Sequence, residues 1–410
     1  MDTFSVLNYQ GSKKNILDFL HSNIDVLLNN NSTLLDIFSG TCSVGYSYKS
    51  KCRVYANDSE LYAFCIAKAL LSSGYSGIQR IKSELKEYFD ENKNSLNPEY
   101  LELAKQETSI LNDEKTEDLI NLYLQTPTIW NNPDIRYSTH TSFELFTTYY
   151  SNSYFGICQA IEIDSIRYAI EKFRDSKVYY ALLTSLYYAM KECVFSKDGH
   201  MAQPLDFEKN HTRMIKQRKK SIYDLFFTKF DEFYSQEFVT NIYKNKVFNM
   251  DFSDLIKEKS IIKDVSLIYA DPPYTDMQYS RYYHLLNTVT EYNYPSPTIN
   301  NQSYTKGLYV NNRFQSQLSA KSKSLDSLMQ LIQFSHKYHK DLVISFGYPE
   351  DIQKQKSDRY VMNIDELIAS CKTVYGLTSV EVANTDYTHS NNRNSIPKRV
   401  KEYLIICKGR

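Results

Sequence analysis

The sequence predicts an α/β protein whose parallel sheet is interrupted by a largely helical insert. Residues 33–45 indicate a strand, a turn and a helix, and residues 265–270 indicate a second buried strand that ends in two prolines. Residues 76–240 instead show helical periodicity with little strand pattern. Short apolar strands alternating with helices are typical of parallel sheets covered on both faces. We therefore expect one domain from residues 1–75 and 241–410, with the insert at 76–240.

The first predicted element is an amphipathic helix that follows Ser12. Ser12 can cap this helix, and Ile16 and Leu17 begin its apolar stripe. Lys13, beside the helix N-terminus, provides a place for an anion or a carboxylate. Taken alone, the segment is better explained as an ordinary first helix.

The next two strands carry residues that suit a nucleoside. Gly40 follows the strand at 34–37 and allows a ligand to approach the backbone closely. Because the GxGxxG motif of dinucleotide enzymes is missing, a nucleoside without phosphates, such as S-adenosylmethionine, fits better. Asp58 ends the second strand, where acids bind ribose hydroxyls. The alternatives are an ordinary turn at Gly40 and a helix cap at Asp58, and a cap is compatible with ribose binding.

A later strand ends in residues that suit a purine. Asp251 and Phe252 end the strand at 246–252, where they can accept a hydrogen bond from an adenine amino group and stack on its ring. This pair extends the predicted nucleoside site to a third strand end. The carboxyl ends of neighbouring parallel strands lie at one edge of a sheet, where such sheets bind ligands.

The strand at 265–270 ends in Asp-Pro-Pro-Tyr, because proline cannot donate to a sheet ladder. The result is a stiff loop at the carboxyl end of a strand. Asp271 and the Pro272 carbonyl can accept the hydrogens of an exocyclic amine, and Tyr274 can stack on the base. On these residues alone, a structural loop whose Asp caps the next helix is an equal alternative.

The insert contains a loop and a basic stretch that could contact DNA. His200 and Gln203, in the loop at 196–204, carry groups that can reach base edges. A basic run is usually a solvated helix face, but this one directly follows that loop. We therefore expect DNA contacts from both. The basic residues concerned are Arg213, Lys216, Arg218 and Lys219.

Composition narrows the class of protein. The chain has 410 residues and a formal net charge of zero, so nucleic-acid binding must depend on local basic patches. The seven cysteines include no CxxC pair, which argues against zinc and a disulfide framework, and we expect no metal. Without a long apolar run or a signal region, we expect a soluble protein of the reducing cytoplasm with no membrane contact.

Taken in order, these segments resemble the Dam-type DNA adenine-N6 methyltransferases, including those of restriction–modification systems. The extension at 278–286 resembles one restriction-linked branch. The matching segments are 9–13 (Tyr-Gln-Gly-Ser-Lys), 36–40 (Asp-Ile-Phe-Ser-Gly), 57–58, 251–252, 271–274, 343–345 and the basic loop before the final strand. In that basic loop we expect Arg393 and Lys398 to contact DNA.

This resemblance implies a Rossmann-like, S-adenosylmethionine-dependent methyltransferase sheet of seven strands with a largely helical target-recognition insert. Asp36 is expected to hold the methionine ammonium or its own turn. The sequence departs from the family at the first motif, where many members have a second glycine, and its insert is longer than in small members. The cofactor contacts that the resemblance implies are Tyr9, Lys13, Asp58 and Asp271, with Phe38 and Gly40 nearby.

The implied function is site-specific methylation of adenine N6 by direct transfer from S-adenosylmethionine to a base flipped out of duplex DNA. The partners are double-stranded DNA and, in a restriction system, a cognate endonuclease; an orphan or phage methylase needs none. One alternative is an amino-methylase of RNA or of a protein amide, whose insert would not bind duplex DNA. Another is a binding module without catalysis, against which the intact loop at 271–274 argues. The recognition sequence and the oligomeric state stay open.

Overall fold

The computed structural model divides the chain into two compact units. Unit 1 comprises residues 1–73, 239–280 and 314–410, and unit 2 comprises residues 74–238 and 281–313. The residues whose structure is described are 6–7, 13–72, 76–113, 116–130, 132–138, 140, 142–196, 200–235, 243–300, 303–311, 313–349, 359–388 and 399–409.

The strands and helices have the following bounds. The strands are β1 Thr33–Asp36, β2 Arg53–Asn57, β3 Lys246–Phe248, β4 Leu267–Ala270, β5 Ile299–Asn300, β6 Ser303–Tyr304, β7 Asp341–Pro349, β8 Val380–Thr388 and β9 Arg399–Cys407. The helices are α1 Leu17–Ile24, α2 Ser43–Tyr48, α3 Leu61–Leu71, α4 Ile78–Ser95, α5 Pro98–Asp113, α6 Thr116–Gln125, α7 Leu145–Tyr149, α8 Ile157–Glu171, α9 Tyr179–Cys193, α10 Phe207–Arg218, α11 Ile222–Ser235, α12 Phe252–Leu255, α13 Lys259–Ile262, α14 Tyr279–Tyr282, α15 His284–Glu291, α16 Ser324–Lys337 and α17 Ile364–Tyr375.

Unit 1 is organised around a mixed sheet. Over the described residues, seven strands pair in the order β3-β2-β1-β4-β7-β9-β8. Neighbours from β3 to β7 are parallel, whereas β9 runs antiparallel to both β7 and β8. The predicted α/β class, with a sheet of seven strands, is therefore confirmed.

The middle of this sheet is buried because its strands are apolar on both faces. Every residue of β1 and β4 is buried, as expected for central parallel strands. The chain leaves β1 toward β2 and β3 on one side and later returns to β4 on the other. This reversal of strand order opens a crevice at the carboxyl ends of β1 and β4, the position at which open α/β sheets bind ligands.

Unit 2 is mainly helical, as the periodicity of residues 76–240 predicts. In α8 the isoleucines at 161, 163, 166 and 170 are buried, and a core cluster joins Ile157 and Ile161 to Leu103 and Leu111 of α5. Residues 281–313 also belong to this unit, although the sequence analysis assigned them to the sheet domain. None of the described helices is both long and apolar enough to span a bilayer.

Candidate active site

A cleft opens at the carboxyl ends of β1, β2, β3 and β4 in unit 1. It encloses about 1010 Å³ of space, a figure that includes its open mouth. The predicted residues that line it are Lys13, Asp36, Phe38, Gly40, Asp58, Asp251, Phe252, Asp271, Pro272 and Tyr274. Tyr9 lies outside the described residues, so its predicted contact stays a prediction.

Asn57 holds three strand ends together. Its buried side-chain amide donates to the carbonyls of Ile37 and Met250, both at 3.1 Å, and its Oδ1 accepts from the Met250 N–H at 3.2 Å. Ser39 N donates to the Asn57 carbonyl at 2.9 Å. These bonds fix the backbone from which the acidic residues of the cleft project, a role that the sequence analysis did not recognise.

Asp58 connects the two turns that carry the predicted nucleoside contacts. Its carboxylate accepts hydrogen bonds from Gly40 N at 2.8 Å and Glu60 N at 2.9 Å. Gly40 has a φ of 50°, a conformation that glycine adopts without steric cost. Burial raises the pKa of Asp58 to about 6, against the effect of these hydrogen bonds. Asp58 lies ahead of α3 rather than at its cap, which is Glu60.

Asp36 is a buried acid with one oxygen unsatisfied. Its Oδ2 accepts from Gly45 N at 3.2 Å, whereas Oδ1 has no hydrogen-bond partner among the described residues. Burial raises its pKa to about 8, and the charges of Asp271 and Asp58 act in the same direction. An unsatisfied buried acceptor is costly, so this oxygen is suited to a cationic donor.

An aromatic pair and a capped helix form another part of the cleft. The rings of Phe38 and Phe252 meet edge to face at 5.4 Å between centroids. Asp251 caps α12 by accepting from Ser253 N at 2.9 Å. The predicted contact of Asp251 with an adenine amino group stays a prediction.

Lys13 is buried between two carboxylates. Its Nζ lies 3.0 Å from Asp271 Oδ1 and 2.8 Å from Glu402 Oε1. Burial opposes the charge on Lys13, but the two acids outweigh it and raise its pKa well above the ordinary value. The ammonium therefore pairs with the carboxylates of Asp271 and Glu402, in keeping with the expected carboxylate partner, and the cofactor contact of Lys13 stays a prediction.

Asp271 lies at the centre of this charge cluster. Burial raises its pKa to about 7, Lys13 opposes the shift, and Glu402 adds to it. Two carboxylates share one ammonium, so the ionised cluster carries one net negative charge. Such a group accepts hydrogen bonds strongly and favours positive charge nearby.

The loop that follows Asp271 is fixed by a neighbouring segment. Val361 N donates to the Tyr274 carbonyl at 3.2 Å, and Asp276 N donates to the Arg359 carbonyl at 3.0 Å. The Tyr274 ring packs edge to face on Phe346, with 6.1 Å between centroids. These contacts hold Pro272 and Tyr274 in the wall of the cleft.

A second wall, missed from sequence, closes the cleft beyond this loop. The Gln278 amide exchanges two hydrogen bonds with the backbone of Ser316, at 3.0 and 3.3 Å. Ser319 Oγ donates to the Met277 carbonyl at 3.0 Å. Glutamine and serine are common in loops, and only the fold brings these two segments together.

Glu402 is the principal site residue that the sequence analysis missed. It is buried in β9, and its Oε1 accepts from Lys13 and from Ser345 Oγ, the latter at 2.6 Å. Val400, Glu402 and Leu404 occupy alternate positions of one strand, all of them buried. An acid within an apolar row of an alternating strand was the available signal.

The expected DNA contacts in unit 2 differ in exposure. Arg213, Lys216 and Lys219 are exposed on or just after α10, and Gln203 is exposed in its loop. His200 is half-buried, and its ring meets Tyr282 edge to face at 4.6 Å. Arg393 and Lys398 lie outside the part of the chain that the structure describes.

Arg218 is a correction to the predicted DNA contacts. Its side chain is 1 % exposed and pairs with Glu107, which is equally buried. Its Nη2 also donates to Asn152 Oδ1 at 3.0 Å. Because the guanidinium is buried against an acid inside unit 2, Arg218 offers no surface to a phosphate.

Comparison with known proteins gives the chain a family context. The sequence profile of the D12 class N6 adenine-specific DNA methyltransferases matches residues 9–356. Modification methylase LlaI of Lactococcus lactis subsp. lactis is 25% identical over 98% of this chain and 55% of its own length. Type II methyltransferase M.FokI of Planomicrobium okeanokoites is 24% identical over 70% of this chain and 37% of its own length. Modification methylase StsI of Streptococcus sanguinis is 25% identical over 83% of this chain and 44% of its own length. The chain thus spans about half the length of the curated relatives it matches.

Proposed function

The chain belongs to the D12 class of N6 adenine-specific DNA methyltransferases, and on that premise we propose that it methylates adenine N6 in duplex DNA with S-adenosyl-L-methionine as donor. The observation that carries the proposal is the position of Asp271. Asp271 and Pro272 directly follow the central strand β4, and both line the cleft. Two acceptors in that position suit an exocyclic amine, which donates two N–H groups.

The residues at the other strand ends suit the cofactor. When bound, S-adenosyl-L-methionine supplies a methyl group on a sulfonium. Asp36 Oδ1, buried and without a partner among the described residues, would accept from the methionine ammonium, and Asp58 would accept from ribose hydroxyls. Phe38 and Phe252 would provide apolar surface for the purine ring. This donor set is acidic and aromatic, as a cationic nucleoside requires.

Asp271 and Pro272 would activate the target amine. The N6 lone pair is delocalised into the adenine ring, so the amine is a poor nucleophile. Hydrogen bonds from N6 to Asp271 Oδ and the Pro272 carbonyl favour a pyramidal nitrogen and stabilise the positive charge that develops on it. Alignment of the two substrates in one cleft supplies the entropic part of the acceleration. After transfer, the surplus N6 proton can leave to Asp271 or to water.

Tyr274 would hold the target base once it leaves the duplex. Flipping costs a few kcal/mol, and stacking on an aromatic ring offsets about 1–3 kcal/mol of that cost. Tyr274 and Asp271 line the same cleft, so one bound base could contact both.

We assign DNA target recognition to unit 2. Support comes from the exposed basic side chains of Arg213, Lys216 and Lys219 and from Gln203 in the preceding loop. Basic side chains bind phosphates at any sequence, whereas amides can read base edges. A role beside a restriction endonuclease rests on the names of the relatives, which are modification methylases.

The test is a comparison of substrates. The purified chain is incubated with methyl-labelled S-adenosyl-L-methionine and duplex DNA, structured RNA or a glutamine-containing protein extract, and the products are identified by mass spectrometry of nucleosides and amino acids. We expect N6-methyladenine from duplex DNA. Methylated RNA or methylglutamine, with unlabelled DNA, would establish the alternative amino-methylase function instead. Binding of the cofactor without any transfer would establish a binding module.

A further inference from the structure

We propose that Glu402 is a positioning residue. By pairing with the same Lys13 ammonium as Asp271, it keeps the Asp271 carboxylate available as a hydrogen-bond acceptor. This inference rests on the proposed methyl transfer to an amine. Glu402 lies behind Lys13 on β9, and Lys13 is the bridge between the two acids. Its effect on the target amine would therefore pass through Lys13 and Asp271.

Four side chains form a connected series of polar contacts. Ser345 Oγ donates to Glu402 Oε1 at 2.6 Å, Lys13 Nζ donates to the same oxygen at 2.8 Å, and Lys13 reaches Asp271 Oδ1 at 3.0 Å. Lys13 and Glu402 are 3% and 1% exposed, so solvent screens their interaction very little. Ser345 and Glu402 belong to the paired strands β7 and β9, so the backbone that carries these two side chains is held by the sheet.

Without Glu402, the charge of Lys13 would fall on Asp271 alone. A one-to-one buried ion pair is neutral, and its carboxylate is a weaker acceptor for a third group. With Glu402 present, one ammonium serves two carboxylates and a net negative charge remains beside the substrate amine. That charge is matched to an amine that becomes positive during transfer.

The same arrangement fixes the direction of a pH effect. The charged and titratable groups that face Asp271 are Lys13, Glu402, Tyr269, Tyr274 and Asp36. Of these, Glu402 raises the pKa of Asp271. The two carboxylate oxygens that contact Lys13 Nζ lie no more than about 6 Å apart, and at an effective dielectric of about 20 two unit charges separated by about 6 to 8 Å interact by roughly one and a half to two pH units.

The experiment compares Glu402→Gln with wild type in single-turnover methyl transfer to duplex DNA between pH 5 and 9. The amide keeps an oxygen for Ser345 and Lys13 but removes the charge. We expect a plateau rate that is lower by about 10- to 100-fold, little change in DNA and cofactor affinity, and an acid limb that moves about one to two pH units downward. A lower plateau rate together with activity that extends to lower pH is a combination that simple loss of structure does not produce.

Two matched variants and a direct titration complete the test. Glu381→Gln removes an exposed acid of β8 that pairs with Lys408, and should leave rate and limb unchanged. Glu402→Asp keeps the charge, so its acid limb should stay near that of wild type even where the rate falls. The carboxyl carbon shift of Asp271, followed by NMR without substrates, should titrate at lower pH in Glu402→Gln. If that variant does not fold, Glu402→Met, which also removes the charge and suits the apolar row of β9, is titrated in its place.

Distinct outcomes separate this inference from the proposed function. Suppose that wild type transfers the methyl group, but that neither the acid limb of the rate nor the titration of Asp271 moves in Glu402→Gln. This result overturns the role of Glu402 alone. A downward limb in Glu402→Asp also overturns it, because that variant retains the charge. No transfer by wild type to any DNA overturns the proposed function, while the NMR titration still reports whether Glu402 acts on Asp271.

Discussion

Replacement of Asp36 by asparagine should have opposite effects on stability and on cofactor binding. The amide oxygen can still accept from Gly45 N, which lies 3.2 Å from Asp36 Oδ2, so the local turn is kept. Only the charge is removed. A purely structural Asp36 and a cofactor-binding Asp36 therefore predict different results for one substitution.

The magnitude of the stability effect follows from linkage. Burial raises the pKa of Asp36 from 3.8 to about 8, so the folded protein binds this proton more tightly than the unfolded chain. The contribution of Asp36 to stability is thus full below pH 3.8 and is lost as the pH rises toward 8. At pH 7 the loss spans roughly three pH units at about 1.36 kcal/mol each, or at most about 4 kcal/mol. Asp36→Asn should recover part of this and flatten the pH dependence of unfolding.

Cofactor binding should respond in the other direction. Loss of a charge-assisted hydrogen bond to the methionine ammonium costs about 1.5–3 kcal/mol, or roughly ten- to a hundredfold in affinity. Binding to wild type near pH 7 should also release a proton, because the ammonium favours ionised Asp36. Titration calorimetry in buffers of different ionisation enthalpy measures both effects, and urea unfolding measures stability. Asp254→Asn, at an exposed acid of α12, is the control. Unchanged affinity for S-adenosyl-L-methionine would refute the ammonium contact.

Three other predictions concern phosphate binding, the stability of the insert and base stacking. The combined change of Arg213, Lys216 and Lys219 to alanine should weaken duplex binding at all sequences and lower its salt slope by about 0.9 for each phosphate that is no longer neutralised; a salt slope equal to that of wild type would contradict the assignment. Arg218→Met should instead cost about 3–5 kcal/mol of stability, because it leaves Glu107 buried and unpaired. Tyr274→Phe should change the rate only slightly, whereas Tyr274→Ala should lose about 1–3 kcal/mol of stacking and reduce flipping, as measured by 2-aminopurine fluorescence; equal flipping in both variants would argue against stacking.

Most of the cleft could be predicted because its signals are local. Strands that end in acids or prolines can be recognised in sequence, and a parallel sheet brings those ends to one edge. Asp36, Asp58, Asp251 and Asp271 accordingly line one cleft. Gly40 was recognisable for the same reason, since a tight turn after a strand needs a positive φ.

The remainder depends on pairings between distant residues. Lys13 and Glu402 are 389 positions apart, and nothing near Lys13 in sequence indicates that its partners are two buried acids. Arg218 was misplaced because a basic helical stretch does not reveal which of its members turns inward. Glu107, 111 positions earlier, decides that, and only the packing of unit 2 brings the two together.

The central claim is that Asp271 acts in the transition state of methyl transfer to adenine N6. The measurement is the single-turnover rate of tritiated methyl transfer to duplex DNA by wild type and Asp271→Ala, with the duplex dissociation constant of each measured in the same buffer. We predict a fall in rate of about 10²–10³-fold or more, with DNA affinity changed far less. A variant that retains a near-normal rate would contradict the account, because the Asp-Pro-Pro-Tyr loop would then be only structural.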